Sequence, residues 1–298
     1  MKIITSIDLG SNSLRVLRFC CDTKQIHGEF EKTVGTADGL IEAGIISDDA
    51  QKRIILAIKE SIEKLNYDPK QAFAVTTQAM RIAKNNSEVL LKIKENTGVQ
   101  FKIIDPNKEA ELTLLAVNYA IKREQIKSDS FMLLDIGGGS TELILVSKNE
   151  TFTHSFPFGI VTLTQSKNYN NDFLSFKNYI LKYLENSKFD IKKAIFLSTA
   201  GTPTTICAVN LGMNYQTYDK NKVNGKSVYL KDVIRLQNEF KNMSNDDLES
   251  KVGSGRIAYI NTGVEIFKLF FEVLGKEYSI VFDDGLREGV AIDSCSRK

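Results

Sequence analysis

Two segments of the chain share one pattern, and this repetition indicates a fold that contains the same unit twice. The segments run from Ile7 to Ser13 and from Asp135 to Glu142, with Asp8 and Asp135 127 residues apart. An apolar stretch of strand character precedes each segment and another follows it. The pattern predicts two β-hairpins with turns of glycine and hydroxyl residues. Such turns expose backbone N–H groups and can surround an anion such as phosphate.

The length of 298 residues allows two domains of about 150 residues, each with its own core. We expect one domain over residues 1–120 with 285–298, and a second over residues 121–284. Apolar residues are 42% and charged residues 26% of the chain, which argues against a disordered or fibrous protein. No apolar run approaches the roughly 20 residues of a membrane-spanning helix, so no membrane association is expected.

The start of the chain lacks the shape of a signal peptide, which predicts a cytoplasmic protein. The four cysteines, Cys20, Cys21, Cys207 and Cys295, show no metal-binding spacing and are expected to be reduced thiols. The formal net charge is only +2, so a polyanionic partner would have to be bound by a local basic surface and not by the overall field. No nucleic-acid partner is expected.

Local signals predict several elements that place candidate residues. Ser47 is expected to cap a helix over residues 48–65, and Asn107 to cap a long helix that ends near residue 124. Glu109 lies in the first turn of that long helix. A strand over residues 194–198 leads into a hydroxyl-rich helix start, with Thr202 as cap and Pro203 at the first helical position. This helix start, with Gly201 and Thr202, is a further predicted anion site.

Carboxylates stand next to both predicted turns. Asp8 and Asp135 end the entering strands, where each can hold a divalent cation. Asp135 and Glu142 lie seven residues apart across a glycine turn, so both can reach one Mg²⁺ ion. Glu109 can orient and deprotonate a water molecule for attack on phosphorus. Two such hairpins, one in each domain, would hold a phosphate chain or a nucleotide in a cleft, as in the actin, hexokinase and Hsp70 superfamily.

The chain resembles the exopolyphosphatase and guanosine pentaphosphate phosphatase (Ppx/GppA) family over essentially its whole length. The segments that carry the resemblance are residues 7–13, 76–85, 135–142, 158–164, 201–205 and 284–289. The resemblance implies an α/β fold with two actin-like (ribonuclease H-like, ASKHA superfamily) domains and an active-site cleft between them. It also implies Mg²⁺-dependent (or Mn²⁺-dependent) release of the terminal phosphate from inorganic polyphosphate, from pppGpp, or from both.

Carried over by position, the resemblance assigns catalytic roles to Glu109, Asp135 and Glu142. Asp8 joins Asp135 and Glu142 as an expected metal ligand, as proposed above from the strand ends. The matching phosphate-binding positions are Ser11, Asn12, Ser13, Arg81, Gly137, Gly138, Gly139, Ser140 and Thr141. The family's usual Ser-Gly turn before the catalytic acid is replaced here by Asp105, Pro106 and Asn107, and a usual Arg by Glu111. We also expect the compact two-domain form, without the C-terminal helical domain of longer members.

Several functions fit these residues. An exopolyphosphatase is favoured, and a pppGpp phosphohydrolase giving ppGpp would use the same site. A kinase of the same superfamily would need an acceptor site, and a non-catalytic alarmone or nucleotide-binding switch would not need Glu109. The expected partners are inorganic polyphosphate or guanosine penta- and tetraphosphate, with a homodimer as an option for assembly.

Overall fold

The structure is a computed structural model that describes residues 2–148 and 150–296. The chain divides into two compact units. Unit 1 comprises residues 1–116 and 286–298, and unit 2 comprises residues 117–285. The chain leaves unit 1 inside one helix and returns to it directly before the last helix.

Both units combine one sheet with surrounding helices. The strands are β1 (Ile3–Leu9), β2 (Ser13–Cys20), β3 (Ile26–Thr33), β4 (Phe73–Thr76), β5 (Phe101–Ile103), β6 (Phe131–Ile136), β7 (Thr141–Val146), β8 (Thr151–Phe156), β9 (Ile195–Thr199), β10 (Lys226–Tyr229) and β11 (Tyr278–Val281). The helices are α1 (Leu40–Ala43), α2 (Asp48–Leu65), α3 (Gln78–Ile82), α4 (Asn86–Thr97), α5 (Pro106–Arg123), α6 (Ile160–Thr164), α7 (Tyr169–Ser187), α8 (Gly201–Asn210), α9 (Lys220–Val223), α10 (Leu230–Asn242), α11 (Asn245–Val252), α12 (Ile260–Leu274) and α13 (Leu286–Cys295). Short 3₁₀ turns cover Pro69–Gln71 and Ser254–Arg256.

The two sheets repeat one strand order. In unit 1 the order is β3-β2-β1-β4-β5, with β1 antiparallel to β2 and parallel to β4. In unit 2 the order is β10-β11-β9-β6-β7-β8, with β6 antiparallel to β7 and parallel to β9. The strands β6, β7, β8, β9 and β11 therefore correspond to β1 to β5, and β10 is an additional edge strand. This repetition confirms the two predicted hairpins and the duplicated unit.

Apolar side chains packed between the sheet and the helices form the core of each unit. In unit 2, Phe267, Phe270, Phe271 and Leu274 of α12 are buried in one cluster with strand residues such as Phe196, as their helical spacing predicts. In unit 1, Ala291 of α13 is buried with apolar residues of β1 and β2. The last helix thus belongs to the core of unit 1.

Of three predicted helix caps, the structure confirms one and differs at the other two. Ser47 caps α2 by accepting a hydrogen bond from the N–H of Ala50, as predicted. The cap of α5 is Asp105, whose carboxylate accepts from the N–H of Lys108, and not Asn107. The same hydrogen bond lowers the pKa of Asp105. Helix α8 begins at Gly201, one residue before the predicted cap Thr202. Asn107 and Thr202 are both residue types that favour helix caps, but each lies inside the first turn of its helix and not before it.

The prediction that all four cysteines are reduced thiols is wrong. Cys21 and Cys295 form a disulfide with a sequence separation of 274 residues, while Cys20 and Cys207 are free and buried. Cys21 follows β2 and Cys295 ends α13, and these two elements pack together in unit 1. Because the bond depends on this long-range packing, cysteine spacing in the sequence gives no sign of it. Within the described residues, no helix is long and apolar enough to span a membrane.

Candidate active site

The turns after β1 and β6 have the same hydrogen bond. The N–H of Gly10 donates to the carbonyl of Ser13 at 3.0 Å, and the N–H of Gly137 donates to the carbonyl of Ser140 at 3.0 Å. Both turns therefore close at equivalent positions of the repeated hairpin. A Cβ on Gly137 would lie 2.8 Å from the carbonyl oxygen of Ser140, so glycine is required there.

The carbonyl groups of the second turn are held by the start of α6. The N–H of Ile160 donates to the carbonyl of Gly137 at 3.0 Å, and the N–H of Val161 donates to that of Gly138 at 2.7 Å. The N–H groups of Gly138, Gly139 and Ser140 donate to no acceptor within residues 2–148 and 150–296. Since peptide N–H and C=O groups point in opposite directions, these three N–H groups are available to an anion.

The first turn is held in the same way by the segment after β3. The N–H groups of Val34 and Gly35 donate to the carbonyl of Asn12 at 2.8 and 2.9 Å. The N–H of Ala37 donates to the carbonyl of Ser11 at 2.8 Å. The N–H groups of Ser11 and Asn12 have no acceptor in the described part of the chain. The carbonyl groups of each turn are therefore held by the segment that follows the third strand of its unit, and its N–H groups could bind an anion.

Gly159 permits the close packing behind the second turn. A Cβ on Gly159 would lie 2.5 Å from the carbonyl carbon and oxygen of Gly138 and from the nitrogen of Ser140. The hydroxyl of Thr162 accepts from the N–H of Gly159 at 2.7 Å, and that of Thr141 donates to the carbonyl of Phe158 at 2.7 Å. Thr141, predicted to contact phosphate, thus has its hydroxyl bonded to this supporting segment. The support given by Gly159 and by Val34, Gly35 and Ala37 was missed, because only the folded chain brings these residues to the turns.

Asp135 and Glu142 lie directly opposite each other on β6 and β7. Glu142 is 2% exposed, and one carboxylate oxygen accepts from the hydroxyl of Ser155 on β8 at 2.7 Å. Two carboxylates that face each other across a hairpin can both bind one cation. The geometry of the pair is therefore compatible with a shared cation.

The first hairpin differs at the equivalent position. Arg15 on β2 lies directly opposite Asp8 on β1. Unit 1 thus places a cation where unit 2 has the second carboxylate. The expected role of Asp8 as a metal ligand stays a prediction.

The donor set suits Mg²⁺. Among the described residues, no group of three or more His, Cys, Asp or Glu side chains could hold a metal ion. Two neighbouring carboxylates, completed by water and substrate phosphate oxygens, are a usual Mg²⁺ environment, whereas an all-protein site is not. The carboxylates of Asp135 and Glu142 are the residues that would hold the ion.

Glu109 is paired with Arg81. The Nη1 of Arg81 donates to the carboxylate of Glu109 and to the carbonyl of Ile104, both at 2.8 Å, while its Nε donates to Gln78 at 3.1 Å. The side chains of Arg81 and Glu109 are only 14% and 12% exposed. Arg81, predicted to contact phosphate, therefore orients Glu109. Its buried Nη2 has no hydrogen-bond partner in the described chain and is the part that could contact an anion.

Arg256, in the 3₁₀ turn Ser254–Arg256, contacts the start of α8 and was not among the predicted site residues. The Nη1 of Arg256 donates to the hydroxyl of Thr205 at 3.0 Å. The guanidinium carbon of Arg256 lies 3.5 Å from the position of a Cβ on Gly201, so this glycine leaves room for the guanidinium. Thr202 is buried, and its hydroxyl lies against Gly263 of α12. Gly201 and Thr202 can therefore meet an anion through the backbone at the helix start, where Arg256 adds positive charge.

Residues near the last helix form structural ion pairs. The guanidinium of Arg123 donates to both carboxylate oxygens of Asp284 at 3.0 and 2.8 Å. Arg287 pairs with Glu29 at 2.7 Å and with Glu288 at 2.6 Å. These contacts explain the motif at residues 284–289 without a bound substrate.

The sequence matches the Ppx/GppA phosphatase family over residues 24–298. It is 24% identical over 315 residues to the bifunctional 3-dehydroquinate synthase/phosphatase of Fusobacterium nucleatum, which covers 98% of this chain and 46% of that protein. The chain thus spans about half the length of this curated relative.

Solved structures give matches along the whole chain. The PPX-GPPA enzyme of Aquifex aeolicus is 29% identical with a TM-score of 0.74, covering 98% of this chain and 99% of that one. An exopolyphosphatase of Cytophaga hutchinsonii is 21% identical with a TM-score of 0.83, covering 99% and 98% of the two chains, and shows the same fold. The predicted α/β fold with two actin-like units is confirmed.

Proposed function

The chain belongs to the Ppx/GppA phosphatase family, and we propose that it hydrolyses terminal phosphoanhydride bonds and releases orthophosphate from inorganic polyphosphate in a Mg²⁺-dependent reaction. The observation that carries this proposal is the pair of equivalent turns whose carbonyls are tied back while their N–H groups remain available. Each unit supplies one of these turns. Phosphate groups are the kind of ligand that each of these turns suits.

In this proposal the turns bind and orient the phosphates. The N–H groups of Gly138, Gly139 and Ser140, with those of Ser11 and Asn12, donate to phosphate oxygens. Because the turns are fixed by hydrogen bonds before substrate arrives, little reorganisation accompanies binding. The start of α8, with Arg256, adds positive potential for a further phosphate oxygen.

Glu109 is the proposed general base. It accepts the proton of a water molecule that attacks the terminal phosphorus, and the shortened chain leaves as an oxyanion. Arg81 holds the carboxylate of Glu109 in one orientation through the 2.8 Å hydrogen bond. The free Nη2 of Arg81 is directed to an oxygen of the transferred phosphoryl group.

Asp135 and Glu142 are the proposed metal-binding pair. A Mg²⁺ ion bound there would neutralise charge on the phosphate oxygens. Ser155 keeps the carboxylate of Glu142 oriented for this role through the 2.7 Å hydrogen bond.

The substrate is tested directly. Phosphate release by the purified protein is measured with long-chain polyphosphate and with pppGpp, each with Mg²⁺ and with EDTA. We expect phosphate release from polyphosphate that depends on the metal ion. Faster release from pppGpp would instead assign the same site to the production of ppGpp. No release from either substrate would refute the hydrolase and leave a kinase or a nucleotide-binding switch.

The role of Glu109 is tested by substitution. Glu109→Gln should lower kcat by about 10²- to 10⁴-fold while tripolyphosphate binding remains, because the amide cannot accept the proton. Glu111→Gln is the matched control, since Glu111 lies on the same helix with its side chain 65% exposed. Turnover of Glu109→Gln within a few-fold of the wild type would exclude Glu109 as the base.

A further inference from the structure

The disulfide between Cys21 and Cys295 lies in unit 1, on the helix that packs against the start of α5. We propose that this cysteine pair is a reversible oxidation site that controls how firmly α13 holds the first turns of α5. A small-molecule or protein disulfide is the reaction partner. The consequence for turnover rests on the proposed function, because it concerns Glu109.

The packing of α13 on α5 is a direct backbone contact. A Cβ on Gly289 would lie 1.9 Å from the carbonyl oxygen of Leu112, so the two helix backbones touch at this point. Leu286 and Val290 of α13 share a buried cluster with Leu112. Leu112 follows Glu109 by three residues and lies one helical turn away from it. The position of α13 therefore bears directly on the turn that carries Glu109.

Polar contacts connect the two ends of α13 to unit 1. The hydroxyl of Ser6 on β1 donates to the carbonyl of Arg287 at 2.8 Å, near the start of the helix. Near its end, Asp293 lies 3.9 Å from the Nζ of Lys108, the residue before Glu109. That ion pair is long and partly exposed, and such pairs contribute little. The covalent bond at Cys295 is thus the strongest attachment at the end of α13.

Of the four cysteines, the two bonded ones are the accessible ones. Both are partly exposed, whereas Cys20 and Cys207 are buried. Burial raises the pKa of Cys207 to about 12, so its thiol is a poor nucleophile. Thiol–disulfide exchange needs access for an attacking thiolate, which favours Cys21 and Cys295 over the buried pair.

The reaction is a two-electron exchange. In the oxidising direction, the thiols of Cys21 and Cys295 lose two protons and two electrons and form the S–S bond. The partner disulfide takes up both electrons and both protons, and its S–S bond breaks to give two thiols. The reverse reaction, driven by an excess of thiol, opens the bond.

Reduction removes the covalent attachment at the end of α13, which keeps its apolar packing and the long ion pair. The helix end then opens more often, and the backbone contact of Gly289 with Leu112 is lost during each opening. Glu109 loses its fixed position in those intervals. The oxidised protein is therefore the more active form.

The test compares oxidised and reduced full-length protein by hydrogen exchange and by turnover. Thiol titration under denaturing conditions should find two thiols in the oxidised form and four in the reduced form. Amides of residues 107–112 and 286–296 should exchange roughly tenfold faster after reduction. The kcat should fall roughly tenfold with little change in KM. Hydrogen exchange is independent of activity, so it tests the cysteine pair even if the protein releases no phosphate.

Variants separate this bond from general effects of reductant. The double variant Cys21→Ser with Cys295→Ser should behave like the reduced protein and no longer respond to reductant. Cys20→Ala, which keeps the bonded pair, should still respond. Four thiols after treatment with an excess of oxidised glutathione would overturn the proposal. Unchanged exchange of residues 107–112 between the two redox forms would overturn it as well.

Discussion

Replacing Gly159 with alanine should displace the second phosphate turn. The new Cβ would lie 2.5 Å from three backbone atoms of Gly138 and Ser140. Ordinary contact needs about 3.4 Å or more, so the turn and the start of α6 must separate by about 0.9 Å. No side-chain rotation can relieve this contact, because all three neighbouring atoms belong to the backbone.

The expected cost follows from the hydrogen bonds that this movement breaks. The bonds from Ile160 and Val161 to the carbonyls of Gly137 and Gly138, now 3.0 and 2.7 Å long, would extend beyond hydrogen-bonding distance. Each contributes about 1 kcal/mol net, and the overpacking adds about 1–3 kcal/mol. Unit 2 should therefore lose about 3–5 kcal/mol of stability. The kcat/KM should fall at least about tenfold because the N–H groups of the turn are misplaced.

Two measurements test this prediction. Denaturant unfolding is monitored by hydrogen exchange of peptides from β6 and β7, and activity is measured as phosphate release. Gly285→Ala is the stability control, since a Cβ there would meet only the hydroxyl of Thr199 at 3.7 Å. If the stability of Gly159→Ala matched that of the wild type within about 0.5 kcal/mol and its kcat/KM were unchanged, the inference that α6 holds the carbonyl groups of the turn would be wrong.

Three further outcomes follow from single contacts. Arg81→Lys should lower kcat roughly 10- to 100-fold with a smaller change in KM, because an ammonium group does not reproduce the separate hydrogen bonds of the guanidinium to Glu109 and Gln78. Steady-state kinetics measures both constants, and an unchanged kcat would show that Arg81 does not position Glu109. Ser155→Ala should raise the Mg²⁺ concentration for half-maximal activity roughly 10-fold, since Glu142 loses its donor; a metal titration with an unchanged midpoint would contradict it. The hydrogen bonds from Lys32 and then Lys64 lower the pKa of Glu60 to about 2 from an ordinary 4.5. Because the folded pKa is depressed, this stabilisation is present above about pH 4.5 and is lost as the pH falls towards 2. Carboxyl NMR titration should find the low value and a rise in Lys32→Met, and an ordinary pKa in the wild type would show that these bonds do not persist in solution.

Features encoded within a few residues could be predicted from the sequence. Helix α2 spans the predicted residues 48–65, because the cap Ser47 and the apolar stripe from Ile54 to Leu65 act within the same segment. Both hairpins were found because apolar strands and a glycine turn are adjacent in the chain. Glu109 was placed in the first turn of its helix by the same kind of local signal, although the cap proved to be Asp105.

Features that depend on distant residues could not be predicted in this way. The hydrogen bonds that fix the first turn come from Val34, Gly35 and Ala37, more than 20 residues after it. The pairing of Arg81 with Glu109 joins residues 28 apart on two helices. Position in the folded chain, more than residue type, decides these contacts.

The placement of α13 in unit 1 has a consequence for the order of events during synthesis. Unit 2 is one continuous segment of the chain, whereas unit 1 is completed only when α13 follows it. A ribosome adds about 5–20 residues per second, so the synthesis of residues 117–285 takes roughly 10 to 30 s. During that time the nascent β1–β2 hairpin lacks the helix that covers it, and its apolar face is open to chaperones. Unit 2 can therefore fold first, although unit 1 starts first.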